Sequence, residues 1–166
     1  RFLKYVSFPT QSDPYSTTSP SSANQKEFAQ FLIEEMRILG LVDVEMSEYG
    51  VVYGKIPSNN DHQGDVIGFI AHMDTSPAVS GKDVKPRIVE NYDGRDILLN
   101  REKGIILPVK ENPELQDYVG KSLSVTDGTT QLGADDKAGV AEIMTMAETL
   151  LKAPEIGHGT IRIAFT

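Results

Sequence analysis

The sequence has 166 residues, of which 39% are apolar, and these proportions suit a globular domain with a substantial core. Its 24 acidic and 16 basic side chains give a net charge of -8 without a basic cluster, which argues against nucleic acid as a partner. The lack of cysteine excludes disulfides and thiolate metal sites, and no apolar stretch is long enough to cross a bilayer, so we expect a cytoplasmic protein without a membrane partner.

The first predicted elements are a short amphipathic helix within residues 1–8 and a loop over residues 9–24, which is rich in Ser, Thr and Pro. Apolar residues then recur at helical spacing over residues 24–39. Gly40 follows, and glycine is the residue that most often ends a helix. The pattern therefore predicts a helix that ends at Gly40.

Several short strands are predicted after this helix. Residues 41–50 and 51–58 form two short runs that predict a hairpin or two sequential strands. Residues 66–72 form an apolar run between polar loops, a pattern typical of a strand buried on both faces of a parallel sheet. Short β-like pieces within residues 84–118 predict a small additional sheet.

A second helix is predicted near the end of the chain. Apolar residues recur at helical spacing from Val140, the helix starts near Lys137, and Pro154 ends it. Residues 160–166 then form another apolar strand. Strand, helix and strand in this order predict an α/β fold with a mixed, mostly parallel sheet flanked by helices and a small extra β segment.

A histidine and an aspartate stand where the apolar run at residues 66–72 ends. Residues i and i+2 of a strand point to the same side, so His72 and Asp74 are expected to be neighbours beyond its C-terminal end, where α/β sheets place ligands. A metal-binding imidazole commonly donates its other N–H to a carboxylate. The pair alone is a weak signal, and the other histidines, His62 and His158, lie in polar loops and are expected to be exposed.

Two adjacent aspartates, Asp135 and Asp136, precede the second predicted helix. Either one can simply cap that helix, which is a common role for Asp. One of them can instead reach into a crevice as a metal ligand, and both interpretations hold if one caps while the other binds. The pattern leaves the assignment open.

Four long stretches of the sequence occur in a fixed order: "GFIAHMDTSP", "KDVKPRIVENYDGRDI", "TTQLGADDKAGVAEIM" and "HGTIRIAFT". Together they resemble the peptidase T family of di-zinc aminotripeptidases, and the resemblance runs over essentially the whole chain. Long motifs in order are more specific than either acidic position alone. The resemblance implies a zinc-peptidase-like catalytic domain that releases the N-terminal residue of tripeptides by two-metal hydrolysis.

The resemblance also implies roles for three residues. His72 corresponds to a terminal ligand of one zinc ion, and Asp135 corresponds to the carboxylate that bridges two zinc ions. Asp74 corresponds to an active-site carboxylate that orients the imidazole. The peptide bond between Asp135 and Asp136 is expected to be cis.

Other parts of the family's site are expected outside this sequence. In the family a pair of glutamates follows the position of Thr166 and supplies the general base and a zinc ligand, and further Asp and His ligands and a lid domain used for dimerisation come later. Residues 1–166 are therefore expected to be an incomplete, N-terminal portion of the catalytic domain. We expect this portion to be inactive alone, because a catalytic zinc ion normally has three protein ligands.

Two other functions remain alternatives. The first is a non-catalytic binding domain of the same fold, against which the joint presence of His72, Asp74 and Asp135 argues. The second is a related dipeptidase or aminoacylase, against which the segment 84–118 argues, because it resembles peptidase T. Tripeptides are the expected substrates, and the full-length protein is expected to be able to form a homodimer.

Overall fold

The computed structural model describes residues 1–60 and 64–166, so His62 lies outside the described residues. The chain divides into two compact units. The main unit comprises Arg1–Pro77 and Gly133–Thr166, and the small unit comprises Ala78–Leu132. Within the described part of the chain, no helix combines the length and the apolar character needed to span a membrane.

The elements follow one another in an order close to the predicted one. In chain order they are α1 (Phe2–Tyr5), α2 (Ala23–Leu39), β1 (Val42–Met46), β2 (Val52–Ile56), β3 (Ile67–Ala71), β4 (Arg87–Val89), β5 (Ile97–Asn100), β6 (Ile105–Leu107), a short 3-10 helix (Pro113–Tyr118), β7 (Leu123–Val125), α3 (Ala134–Lys152) and β8 (Ile161–Phe165). Both long helices and the hairpin β1–β2 confirm the predictions from periodicity.

The main unit contains a four-stranded sheet with the order β1-β2-β8-β3. β1 pairs antiparallel with β2, β2 pairs antiparallel with β8, and only β3 and β8 are parallel. The sheet is mixed, as predicted, but the expectation that it is mostly parallel is wrong. The reason is that a short hairpin forces β1 and β2 to be antiparallel, whereas the long connection that contains α3 allows β3 and β8 to be parallel.

Strand β3 was expected to be buried on both faces, and this prediction is also wrong. Ile67 is 57% exposed and Ile70 is 70% exposed, whereas Ala71 is buried. β3 forms an edge of the described sheet because it pairs with β8 alone. In addition, the described helices cover only one face of the sheet, so an apolar residue on the other face, such as Ile70, stays exposed.

The core of the main unit lies between this covered face and the helices. Every second residue of β2 and β8 is buried, as expected for strands with one face in a core. α2 and α3 supply the opposing side chains at helical spacing. The largest completely buried side chains of this core are Tyr5, Phe28, Leu32, Met36, Ile56, Met144, Ile163 and Phe165.

The short helix α1 is fastened to both long helices by a small polar network. The Tyr5 hydroxyl donates to a Glu35 carboxylate oxygen at 2.5 Å, and the Arg1 guanidinium lies 2.8 Å from the Glu35 carboxylate and 2.7 Å from that of Glu148. Burial and the bond to Glu35 both raise the pKa of Tyr5. Through Arg1, the network links Glu35 of α2 to Glu148 of α3.

The small unit contains the predicted extra β segment as two sheets of two strands each. β4 pairs antiparallel with β7, and β5 pairs antiparallel with β6. Its core is small and centres on Tyr92, Ile97 and Val125. Tyr92 and Ile97 are close in sequence, whereas Val125 comes much later, so this core forms only when the early and late parts of the segment come together.

Two glycines allow a test of the backbone geometry. Gly40 caps α2 with φ +95°, whereas Gly68 in β3 has no positive φ, and a Cβ added at either position would meet no atom within 4 Å. We expect Gly40→Ala to lower the free energy of unfolding by about 1 kcal/mol, because an L-residue is strained in the left-handed region. Gly68→Ala should leave it unchanged or raise it, because glycine is unfavourable in a strand. Urea denaturation of both variants measures the difference, and equal effects would contradict the assigned helix end.

Candidate functional site

The first part of the candidate site lies just beyond the end of β3. The His72 ring nitrogen Nδ1 is 2.9 Å from Asp74 Oδ1 and 3.0 Å from the Asp74 carbonyl oxygen. Both side chains are about two-fifths exposed, at 41% and 40%. The predicted juxtaposition of His72 and Asp74 is confirmed. With Nδ1 bound in this way, the second ring nitrogen, Nε2, is left to face other groups.

The second part of the site comes from the start of α3. Asp135 Oδ1 lies 3.0 Å from His72 Nε2, although the two residues are 63 positions apart in the sequence. The Asp135 side chain is 94% exposed. The structure therefore brings together all three residues that were predicted for the site, with a carboxylate on each side of one imidazole ring.

The two carboxylates determine the protonation of His72. Burial lowers its pKa, but the hydrogen bond with Asp135 and the charge and hydrogen bonds of Asp74 outweigh burial, so the pKa is raised above its usual value. A carboxylate at each ring nitrogen therefore favours positive charge at this place. A protonated imidazole supplies such a charge, and a metal ion beside Nε2 is the other way to supply it.

Asp136 answers the question that the sequence left open. Its Oδ1 accepts the backbone N–H of Gly139 at 3.2 Å, so Asp136 caps the regular part of α3, while Asp135 remains available. Its Oδ2 accepts the backbone N–H of His72 at 3.4 Å. Asp135 and Asp136 have non-helical dihedral angles, so the regular helix begins at Lys137 as predicted, and the expected cis peptide bond between them is confirmed.

The donor atoms suit a zinc ion, but they are too few for a complete site. Zinc binds imidazole nitrogen and carboxylate oxygen at about 2.0 Å with tetrahedral angles, which places two such ligands about 3.3 Å apart, close to the observed 3.0 Å. Among residues 1–60 and 64–166, no group of three or more His, Asp or Glu side chains could hold a metal ion. The described residues therefore bring together one imidazole nitrogen and one carboxylate oxygen of the kinds that zinc binds.

The remaining histidine of the described residues, His158, does not join this cluster. It lies in the loop before β8, where its ring Nδ1 is 2.9 Å from the Gly159 carbonyl oxygen and its backbone N–H donates to the side chain of Asn59. It is half-buried, and not exposed as expected. Its contacts are those of a residue that orders a loop.

Comparison with known proteins places this geometry in a family context. No protein-family model matches the chain. Peptidase T of Clostridium novyi (strain NT) is 55% identical over 166 residues, and peptidase T of Caldanaerobacter subterraneus subsp. tengcongensis is 58% identical over 166 residues. The chain is homologous to peptidase T. It spans 41% of the length of these relatives and corresponds to their N-terminal part.

A solved structure supports the same relationship. The aminopeptidase PepT from Bacillus cereus ATCC 10987 aligns with 99% of this chain, with 25% sequence identity and a TM-score of 0.65. The chain covers 34% of that structure. The similarity to peptidase T therefore holds in fold as well as in sequence.

Lys137 is a residue at the site that neither its pattern nor the resemblance to peptidase T predicted. Its side chain is 1% exposed, and its Nζ donates to the Phe8 carbonyl oxygen at 2.6 Å and lies 5.6 Å from the centre of the Phe28 ring. Burial lowers its pKa to about 8, and the charge of Asp74 opposes that shift. A usable signal was present, because Lys137 shares a helix face with the apolar residue Val140, three positions later.

A second unpredicted feature is that the N-terminal loop pairs with the strand end that carries the site. The hydroxyl of Thr10, which is completely buried, donates to the Met73 carbonyl oxygen at 2.7 Å. The Thr75 N–H donates to the Thr10 carbonyl oxygen, and the Ser12 N–H donates to that of Thr75. His72 and Asp74 therefore stand on a segment that is braced along its length.

This brace predicts the effect of one hydroxyl. Thr10→Val keeps the shape of the side chain but leaves the Met73 carbonyl without that donor, so we expect the free energy of unfolding to fall by about 1–3 kcal/mol. Thr10→Ser keeps the hydroxyl and loses only a methyl group, so it should cost less. Chemical denaturation of both variants measures the difference. A larger loss for the serine variant would show that packing, and not the hydrogen bond, holds the loop.

Proposed function

We propose that the chain supplies part of the two-zinc centre of an aminotripeptidase, with His72 and Asp135 as metal ligands and Asp74 as the active-site carboxylate behind the histidine. The observation that carries the proposal is the placement of Asp74 and Asp135 on opposite nitrogens of one imidazole, at 2.9 and 3.0 Å. The homology to peptidase T supports the reaction class.

Each residue of the site has a separate task in this proposal. Asp74 accepts a hydrogen bond from the Nδ1–H of His72, which keeps the tautomer whose Nε2 lone pair faces Asp135. Asp135 adds a negative charge that can be shared between two cations. Bound zinc would lower the pKa of a water molecule and polarise the carbonyl of the scissile peptide bond. The chain's own contribution is to hold the donor atoms in place.

The rest of the catalytic machinery belongs to the proposal as well. The chain is taken as the N-terminal portion of a catalytic domain, whose general base, further ligands and lid domain lie in the rest of the protein. Two ligands are fewer than the three that a catalytic zinc ion normally has, so residues 1–166 alone should not hydrolyse peptides. Tripeptide substrates and a homodimer of the full-length protein are proposed from the same resemblance, and a cytoplasmic location is proposed from the composition of the chain.

The proposal predicts a metal-dependent activity of the full-length protein. We expect it to release the N-terminal residue of tripeptides, to lose this activity after dialysis against a chelator, and to regain it with zinc. The chain of residues 1–166 should be inactive under every one of these conditions. Product release measured by chromatography tests this. Full activity after complete removal of metal would contradict the proposal.

Asp74 allows a sharper test. Asp74→Asn in the full-length protein replaces the charged partner of His72 with a neutral amide, so we expect zinc affinity or catalytic efficiency to fall about 10- to 100-fold. Asp65→Asn is a matched control, because Asp65 is an exposed carboxylate close to the opposite end of β3. Competition with a chelating dye measures the affinity. Equal zinc affinity of the Asp74→Asn and Asp65→Asn variants would show that Asp74 has no role in the site.

A further inference from the structure

Asp136 uses both of its carboxylate oxygens to join two elements of the main unit. Oδ2 accepts the backbone N–H of His72, at the end of β3, at 3.4 Å. Oδ1 accepts the backbone N–H of Gly139, in the first turn of α3, at 3.2 Å. The Asp136 side chain thus contacts the backbone of His72, and Asp136 is also the residue that directly follows Asp135 in the chain.

Gly139 gives a second and independent observation. A Cβ atom built on Gly139 would lie 2.3 Å from Asp136 Oδ1, which is closer than real Cβ atoms approach other atoms. Gly139 has no positive φ, so its backbone geometry does not require glycine. Glycine is also unfavourable inside a helix relative to alanine. The close approach of the Asp136 carboxylate therefore explains why a glycine stands at this position.

We propose that Asp136 is a positioning residue that sets the separation of His72 and Asp135. Its assigned role in this proposal is to bind backbone N–H groups with both carboxylate oxygens, and not to bind metal. The Asp136 side chain holds the backbone of His72 in place. Because Asp136 is covalently joined to Asp135, the same residue also fixes the position of Asp135. The inference rests on the proposed function in one respect, namely that this pair binds metal.

Two variants of the full-length protein separate the effect of position from that of charge. Asp136→Asn keeps one acceptor oxygen and turns an amide group, itself a donor, toward the other N–H. Gly139→Ala changes no charged residue, but its added methyl group displaces the Asp136 carboxylate. Glu142→Gln is the matched control, since Glu142 is exposed on the same helix and its substitution removes one negative charge.

We expect zinc affinity, measured by competition with a chelating dye, to fall about 10- to 100-fold in both Asp136→Asn and Gly139→Ala and to stay unchanged in Glu142→Gln. The midpoint of thermal unfolding of the metal-free variants is measured in parallel. A purely structural role would lower this midpoint and leave the zinc affinity of the folded protein unchanged. That result would overturn the inference.

A third measurement separates the failure of the inference from the failure of the proposed function. If the unmodified protein binds no zinc and cleaves no tripeptide, the proposed function is wrong. The inference about Asp136 is then tested by NMR spectroscopy of the His72 backbone amide. We expect the NMR chemical shift of this amide in the metal-free protein to change in Asp136→Asn and Gly139→Ala, and not in Glu142→Gln. An unchanged shift would show that Asp136 does not hold His72.

Discussion

The meeting of the end of β3 with the start of α3 is the constraint on which the candidate site depends. β3 and β8 are parallel, so the chain must return across the sheet between them, and α3 lies on that return. Because α3 packs on the sheet and leads back to the start of β8, it begins near the end of β3, the strand that runs parallel to β8. His72 and Asp135 are therefore neighbours because of topology, although the whole small unit separates them in sequence.

The three aspartates of the site differ in what they contact, and this difference gives each a distinct task. Asp74 is paired with a ring nitrogen, Asp136 with two backbone N–H groups, and Asp135 with the other ring nitrogen alone. Lys137, next in the chain, is buried and interacts favourably with Asp74. Three consecutive charged residues thus occupy three environments, because the backbone turns from an irregular segment into a helix between them.

The sequence predicted those features that depend on local periodicity and on residue type. The helices, the hairpin, the end of α2 at Gly40 and the pair His72 and Asp74 were all legible, because spacing along one element determines them. Strand order and the exposure of Ile70 were not, since they depend on which elements lie on each side of β3. The helix face of Lys137 indicated its burial, but its partner could not be predicted, because the Phe8 carbonyl lies 129 residues away.

The contact between His72 and Asp135 is too weak to hold the two residues by itself. Asp135 is 94% exposed, and ion pairs between exposed side chains contribute little to stability. Their separation must therefore be maintained by groups that are shielded from water or bound to the backbone. The brace from Thr10, the buried ammonium of Lys137 and the carboxylate of Asp136 are such groups. These groups hold the two elements that carry His72 and Asp135 whether or not the direct contact between the two side chains is present, which is what the proposed role of the pair requires.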